Sequence, residues 1–242
     1  MKVLAIGCHP DDLELNAYGT LAKYVKQGHE VYVCVITNGN QGHFRILPEE
    51  LGKIRIEEAR QAALVIGAKE YFNLNVDDCL VSHYDMELVH KLIDLIRYVC
   101  PDLIIAHDPN DYAMDHVEAS LLVFRAAFMA TLPHYCTKEG VYPEKVPSNI
   151  PIYYMAPTTK TLFVPTDYVN ITEEMELKHK AMLCHKSQIE WLNEHDGADI
   201  MDTLKADAAH YGKTCGVPYA EAFHKCEHDG RVSCENLLPK NI

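Results

Sequence analysis

Short apolar, β-branched runs alternate four times with helix-period stripes along the first half of the chain, at the 30-odd-residue period of βα units. Lys2–Gly7, Glu30–Thr37, Glu70–Leu74 and Leu103–Ala106 read as strands. Residues 12–27, Pro48 to about Ile66, Asp85–Cys100 and about Asp115–Ala130 carry apolar groups at helical spacing. Gly28, Gly67 and Pro101 stand where three of these helices must stop. Such alternation predicts an α/β, Rossmann-like fold: a mostly parallel sheet flanked by helices on both faces. The rhythm then changes. Residues 132–150 read as an irregular surface segment, Ile152–Ala156 and Leu162–Val169 as two more strands, and Glu173–Glu194 as one long helix. The tail from about Gly212 reads as loop. One domain over 1–242 with a C-terminal elaboration is expected.

Composition narrows the class. A chain of 242 residues, 48% hydrophobic and 24% charged, has globular values and length enough for a sizeable core. Its net charge of −13, from 22 basic against 35 acidic residues, disfavours a nucleic-acid backbone or an anionic membrane as partner. No apolar run approaches the ~18–20 residues of a membrane helix. The opening apolar run is too short for a signal-peptide core, so a cytoplasmic protein is expected. Nine cysteines without a CxxC read as buried thiols rather than a zinc knuckle or a disulfide framework.

Ligands of open parallel sheets bind beyond the carboxyl ends of the strands. Strand one delivers His9-Pro10-Asp11-Asp12 there, strand two Thr37-Asn38-Gly39-Asn40, and strand four His107 through Tyr112, then Asp115-His116. Two imidazoles and one carboxylate with an open position form a catalytic zinc ligand set. His9 and Asp12, three apart at a strand-to-helix turn, can face one ion, and His116 completes the triangle. Asp11 then stands beside the metal as a general base for water attack. A magnesium site would need more acids; iron or cobalt could use the same ligands.

These motifs resemble the PIG-L/LmbE-like deacetylases. The likeness continues through Arg55 and Glu58, Asp77, Cys184-His185-Lys186-Ser187-Gln188 and Tyr219-Ala220-Glu221-Ala222-Phe223, so it spans nearly the whole chain. It implies a zinc hydrolase of N-acetylglucosaminyl compounds, with His9, Asp12 and His116 as ligands and Asp11 as base. The family motif His-Pro-Asp-His is here Ala113-Met114-Asp115-His116, so its first histidine is missing. Either His43, His107, Tyr112 or His185 replaces it, or activity is altered. Arg55, Asn38, Tyr112 and His185 are the candidate substrate-binding residues. Asp115 is expected to orient His116 or to cap the following helix. His134, His179, His195, His210, His224 and His228 are expected at the surface. The partner implied is a small amino-sugar substrate, and homo-oligomerisation is compatible with the sequence. Two other readings compete: a zinc hydratase of an unsaturated oxo-dicarboxylic acid, and a metal-binding protein with weakened activity. A hydratase should bring extra cations to the metal, and only Arg45, Lys53 and Arg55 lie near in sequence.

Overall fold

The computed structural model describes residues 1–157, 162–195, 197, 199–228, 231 and 235–240. Among these, seven strands form one sheet: β1 (Lys2–Gly7), β2 (Glu30–Thr37), β3 (Glu70–Val76), β4 (Leu103–His107), β5 (Ile152–Met155), β6 (Asp167–Asn170) and β7 (Ala220–Lys225). Their order is β3-β2-β1-β4-β5-β7-β6. The first five run parallel, and β7 runs antiparallel to both β5 and β6. The sheet is thus Rossmann-like and mostly parallel, as the alternation requires. Strands β1 and β4 are apolar on both faces because helices cover both. Helices α4 (Met86–Val99) and α5 (Met114–Ala130) pack on one face. The other face carries α2 (Tyr18–Lys26), α3 (Pro48–Val65), α6 (Met175–Met182) and α8 (Ile200–Cys215).

Four expectations need correction, and for two of them the reason is a long-range contact. The first helix is split at Ala17 into α1 (Asp12–Asn16) and α2. Glu221 of β7 accepts hydrogen bonds from the Gly19 and Thr20 amides at 2.9 and 2.7 Å, satisfying the new N-terminus. The expected helix Glu173–Glu194 is also two: α6, and α7 (Lys186–His195). Glu58 of α3 takes the Ser187 amide and hydroxyl at 2.9 and 2.6 Å, capping α7 where the chain would otherwise have continued. The expected strand Leu162–Val169 begins only at Asp167. The tail is more regular than it reads, since α8 and β7 occupy it.

Glu221 also meets Lys178 Nζ at 2.5 Å, with both side chains almost fully buried. Lys178 in turn donates to the Leu15 carbonyl at 2.8 Å, so this one pair joins α1, α2, α6 and β7. Glu221→Gln leaves the ammonium without its counter-charge and should cost about 3–5 kcal/mol in urea unfolding. Lys178→Met combined with Glu221→Leu should cost less than the single change; a larger loss in the double variant would contradict a charge-pair role.

Candidate metal centre and active site

The order of the sheet reverses between β1 and β4, and the loops leaving their carboxyl ends meet there. After β1 the chain turns through Cys8, His9 and Pro10, with the His9 amide donating to Asp12 Oδ2 at 2.6 Å. Asp11 sits at φ 129°, a region that costs a non-glycine residue on the order of 1–3 kcal/mol. Buried Arg55 of α3 holds that conformation. Its guanidinium donates to the Pro10 carbonyl at 2.6 Å, Asp11 Oδ2 at 3.0 Å and the Gly39 carbonyl at 3.1 Å. Gly39 makes this possible: its φ is +75°, and a Cβ there would lie 2.7 Å from Arg55 Cδ.

Two imidazole nitrogens and the two oxygens of one carboxylate lie close together. His9 Nδ1 lies 3.1 Å from His116 Nε2 and 3.5 Å from Asp12 Oδ2; His116 Nε2 lies 3.3 Å from Asp12 Oδ1. Ligands about 2.0–2.2 Å from a tetrahedral ion stand roughly 3.3 Å from one another. The tautomers strengthen the fit. Asp115 holds His9 Nε2 at 3.1 Å, and Asp111 holds His116 Nδ1 at 2.8 Å. Once both rings are neutral, those outer nitrogens keep the protons and the two that face each other are left as lone pairs, the state in which they can ligate a cation.

Asp115 therefore orients His9, and Asp111 is the residue that orients His116. No side chain caps α5, whose N-cap is Ala113. Asp115 also accepts from the Cys79 amide at 2.7 Å, which fixes its carboxylate.

A second set, Asp12 with His107 and His116, also comes within reach of one ion. The His107 ring stacks on His116 at 4.1 Å, but its Nε2 accepts the Cys8 amide hydrogen at 2.9 Å. That lone pair is engaged. Burial, aided by the neighbouring His116, holds His107 below the usual histidine range, while Asp12 Oδ2, 3.1 Å from the same Nε2, pulls the other way. Cys8 groups with His9 and Asp12 too, yet burial pushes its thiol up to about 12, far from the thiolate that binds metals.

Electrostatics separate the adjacent aspartates. Burial raises the Asp11 carboxyl to about 6, against the pull of Arg55. Asp12 lies well below the ordinary carboxylate value: burial opposes its charge, and His116 and His107 overcome that. His116 rises to about 10, the Asp12 charge prevailing over burial.

The remaining expected residues lie around this centre in different ways. His185 is fully buried, its Nε2 2.9 Å from Glu14 Oε1 and its Nδ1 without a partner. Asn38 donates to Asp77 at 2.8 Å and accepts from the Asn40 amide at 3.1 Å, tying the loops after β2 and β3. It also lines a cavity of about 570 Å³ with Gly52, Ile56 and Asp77. Tyr112 is 75% exposed on the loop leading to His116. His224, expected at the surface, is instead half-buried and paired with Asp108. Its partner lies 116 residues away, which no local pattern announces.

Proton linkage tests the centre. A group whose value lies near 10 is protonated at pH 8, and a metal ligand must be neutral, so Zn2+ added to metal-free protein at pH 8 should displace protons. Calorimetry in buffers of different ionisation enthalpy should show this as buffer-dependent heat; a buffer-independent heat would contradict it. Asp111→Asn should weaken the ion about 10–100-fold.

A family model described as GlcNAc-PI de-N-acetylase, PIG-L, matches residues 4–127, from β1 into α5. The diacetylchitobiose deacetylase of Thermococcus kodakarensis is 29% identical over 231 residues, covering 92% of this chain and 82% of its own. Among solved structures, the N,N'-diacetylchitobiose deacetylase of Pyrococcus horikoshii superposes with a TM-score of 0.79 at 29% identity, over 93% of this chain and 83% of that one. The 4-carboxy-2-hydroxymuconate hydratase of Pseudomonas putida gives 0.79 at 25% identity, over 98% and 99%. No helix among the described residues is long and apolar enough to cross a membrane. With half its length matched by the family model, the chain belongs to the PIG-L family of GlcNAc-PI de-N-acetylases.

Proposed function

We propose that the chain is a zinc-dependent amidohydrolase that removes an acetyl group from an N-acetylated amino sugar. The carrying observation is the convergence of His9 Nδ1, His116 Nε2 and Asp12 within 3.1–3.5 Å, next to a buried carboxyl raised to about 6. His9, Asp12 and His116 would hold the ion. When bound, zinc supplies Lewis acidity, polarising an amide carbonyl and lowering the pKa of water to about 7.

Asp11 is the base. A carboxyl near pH 6 can accept a proton from attacking water and return it to the leaving amine. Arg55 positions it by gripping Oδ2 and the neighbouring carbonyl, and the buried Glu14–His185 pair backs the same turn. Of the four groups that could replace the missing histidine, His107 is engaged on the Cys8 amide, while His185 and His43 are each held through one nitrogen and buried at the other. Tyr112, exposed on the loop beside His116, is the group we assign to the substrate side. Asn38 would meet a substrate at the cavity that it lines.

The likeness to a hydratase supports a second reading, in which water adds to an unsaturated dicarboxylate. The cations weigh against it. Arg55 is bound to Asp11, Arg45 to Glu190 and Glu194, and Lys53 to Glu49. None of the three is left to meet a dianion.

Four measurements follow. Asp11→Asn should keep its metal while turnover falls by about 10²–10⁴, and wild-type kcat/KM should be lost as pH falls through about 6, where the base takes up its proton. Loss of metal in this variant would make Asp11 a ligand instead. An N-acetylglucosaminide should yield acetate and free amine in equal amounts; turnover of an unsaturated oxo-diacid without amine release from any N-acetyl sugar would establish the hydratase. Ala113→His should speed deacetylation about tenfold, equal to roughly 1.4 kcal/mol of barrier; slower turnover with metal retained would mean that another group already fills that space.

A further inference from the structure

Helix α5, which carries His116 in its first turn, is apolar on two sides. Its inner face fills the space against the sheet and α4 with Ala119, Leu122, Val123, Ala126, Ala127 and Ala130, all buried. That face alone supplies the core. The outer face of such a helix is ordinarily polar, and here it is not. Met114 is 69% exposed, Leu121 36% and Phe128 55%, and these three are the exposed residues of the helix. They stand seven residues apart, two turns at each step, so they form one line along its length. Leu132, exposed just beyond the C-terminus, extends that line.

The loop after β3 widens the strip. It is tied along α5 by three hydrogen bonds: the Cys79 amide to Asp115 at 2.7 Å, the His83 ring to Glu118 at 2.6 Å, and Arg125 to the His83 carbonyl at 2.8 Å. Leu80 and Tyr84 on this loop are exposed too, and the Tyr84 ring is backed by that of His83 at 4.0 Å. The six apolar side chains together expose on the order of 700 Å². One partner contributes about 800 Å² to a stable protein interface. A monomer seldom leaves a patch of that size in water.

The pattern also says what covers it. Met114 and Phe128 are equidistant from Leu121, so the line is symmetric about its centre. A two-fold axis at Leu121 sets that side chain against its copy, and Met114 against Phe128 of the partner subunit, a thioether on a ring. The charges choose the direction. Asp115 and Glu118 lie in the N-terminal half of α5, and Arg125, which binds a carbonyl rather than a carboxylate, lies in the C-terminal half. Antiparallel pairing brings Arg125 toward Glu118 of the partner subunit and opposes the helix dipoles, whereas parallel pairing stacks acid on acid. The net charge of −13 and the two acids beside the strip disfavour an anionic membrane as the cover.

We propose that this face of α5, centred on Leu121, is an antiparallel two-fold interface between two copies of the chain. Each copy then braces the turn that carries the other's metal ligand, since Met114 stands two residues before His116.

Sedimentation of the zinc-loaded wild-type chain at about 50 µM should give twice the 27.4 kDa of one chain. Leu121→Glu puts two carboxylates face to face at the axis and should leave a monomer with unchanged circular dichroism, because the side chain is exposed in the single chain. Leu121→Cys should form a disulfide-linked dimer with itself on oxidation, above the background of the exposed Cys79 and Cys215. Met114→Cys and Phe128→Cys should cross-link with each other when mixed, and neither with itself. These cysteine variants decide the matter even where Leu121→Glu fails to fold. A monomeric wild type would overturn the interface, and so would a Leu121→Glu protein that stays dimeric. Cross-linking of Met114→Cys with itself would overturn the antiparallel arrangement. Monomers that bind phosphatidylcholine vesicles, and lose that binding in Leu121→Glu, would give the face to lipid and overturn the second copy.

Discussion

Two imidazole nitrogens, His9 Nδ1 and His116 Nε2, held 3.1 Å apart are the constraint on which the site depends. Neither ring is free to turn away, because Asp115 and Asp111 each hold the opposite nitrogen. The rings meet only because β1 and β4 are neighbours at the reversal of the sheet, and the register Val3 to Leu103 through Ala5 to Ile105 brings their loops level. The fold thus brings two imidazoles together beside the Asp12 carboxylate, a donor set of the kind that a divalent cation takes. The strained Asp11 backbone belongs to the same construction: the turn that brings Asp12 to the two imidazoles sends the Asp11 side chain to Arg55.

Much of this was legible from residue order. Parallel central strands are buried on both faces, so Leu4-Ala5-Ile6 and Ile104-Ile105-Ala106 read as unbroken apolar runs, and the helices between them show their stripes. His9, Asp12 and His116 could be singled out because each follows such a run. Partner choice was harder. The exchange of roles between Asp111 and Asp115 depends on the path of the 108–113 loop, which spacing does not encode. The breaks at Ala17 and between α6 and α7 are made by Glu221 and Glu58, 202 and 129 residues away from the amides they hold. Arg55 and His185 stand out in sequence only through the family likeness, and the packed structure shows what they hold: Asp11 and Glu14.

The charge distribution separates the centre from its surroundings. Overall the chain is strongly acidic, yet the carboxylates at the site are spent on imidazoles, backbone amides and one guanidinium. The nearby cations are spent in the same way on Asp11, Glu49, Glu190 and Glu194. What remains around the metal loops is polar but not strongly ionic, an environment suited to a sugar amide more than to a multiply charged acid. Its Ala113 sets the chain apart from the family motif that the sequence otherwise follows.

Anomalous scattering from crystals of the zinc-loaded protein, collected on both sides of the zinc edge, would test the centre most directly. One peak should stand about 2.0–2.2 Å from His9 Nδ1, His116 Nε2 and an Asp12 oxygen, with His107 Nε2 still accepting the Cys8 amide. A peak coordinated by His107 in place of His9, or no peak among these residues, would contradict the assignment.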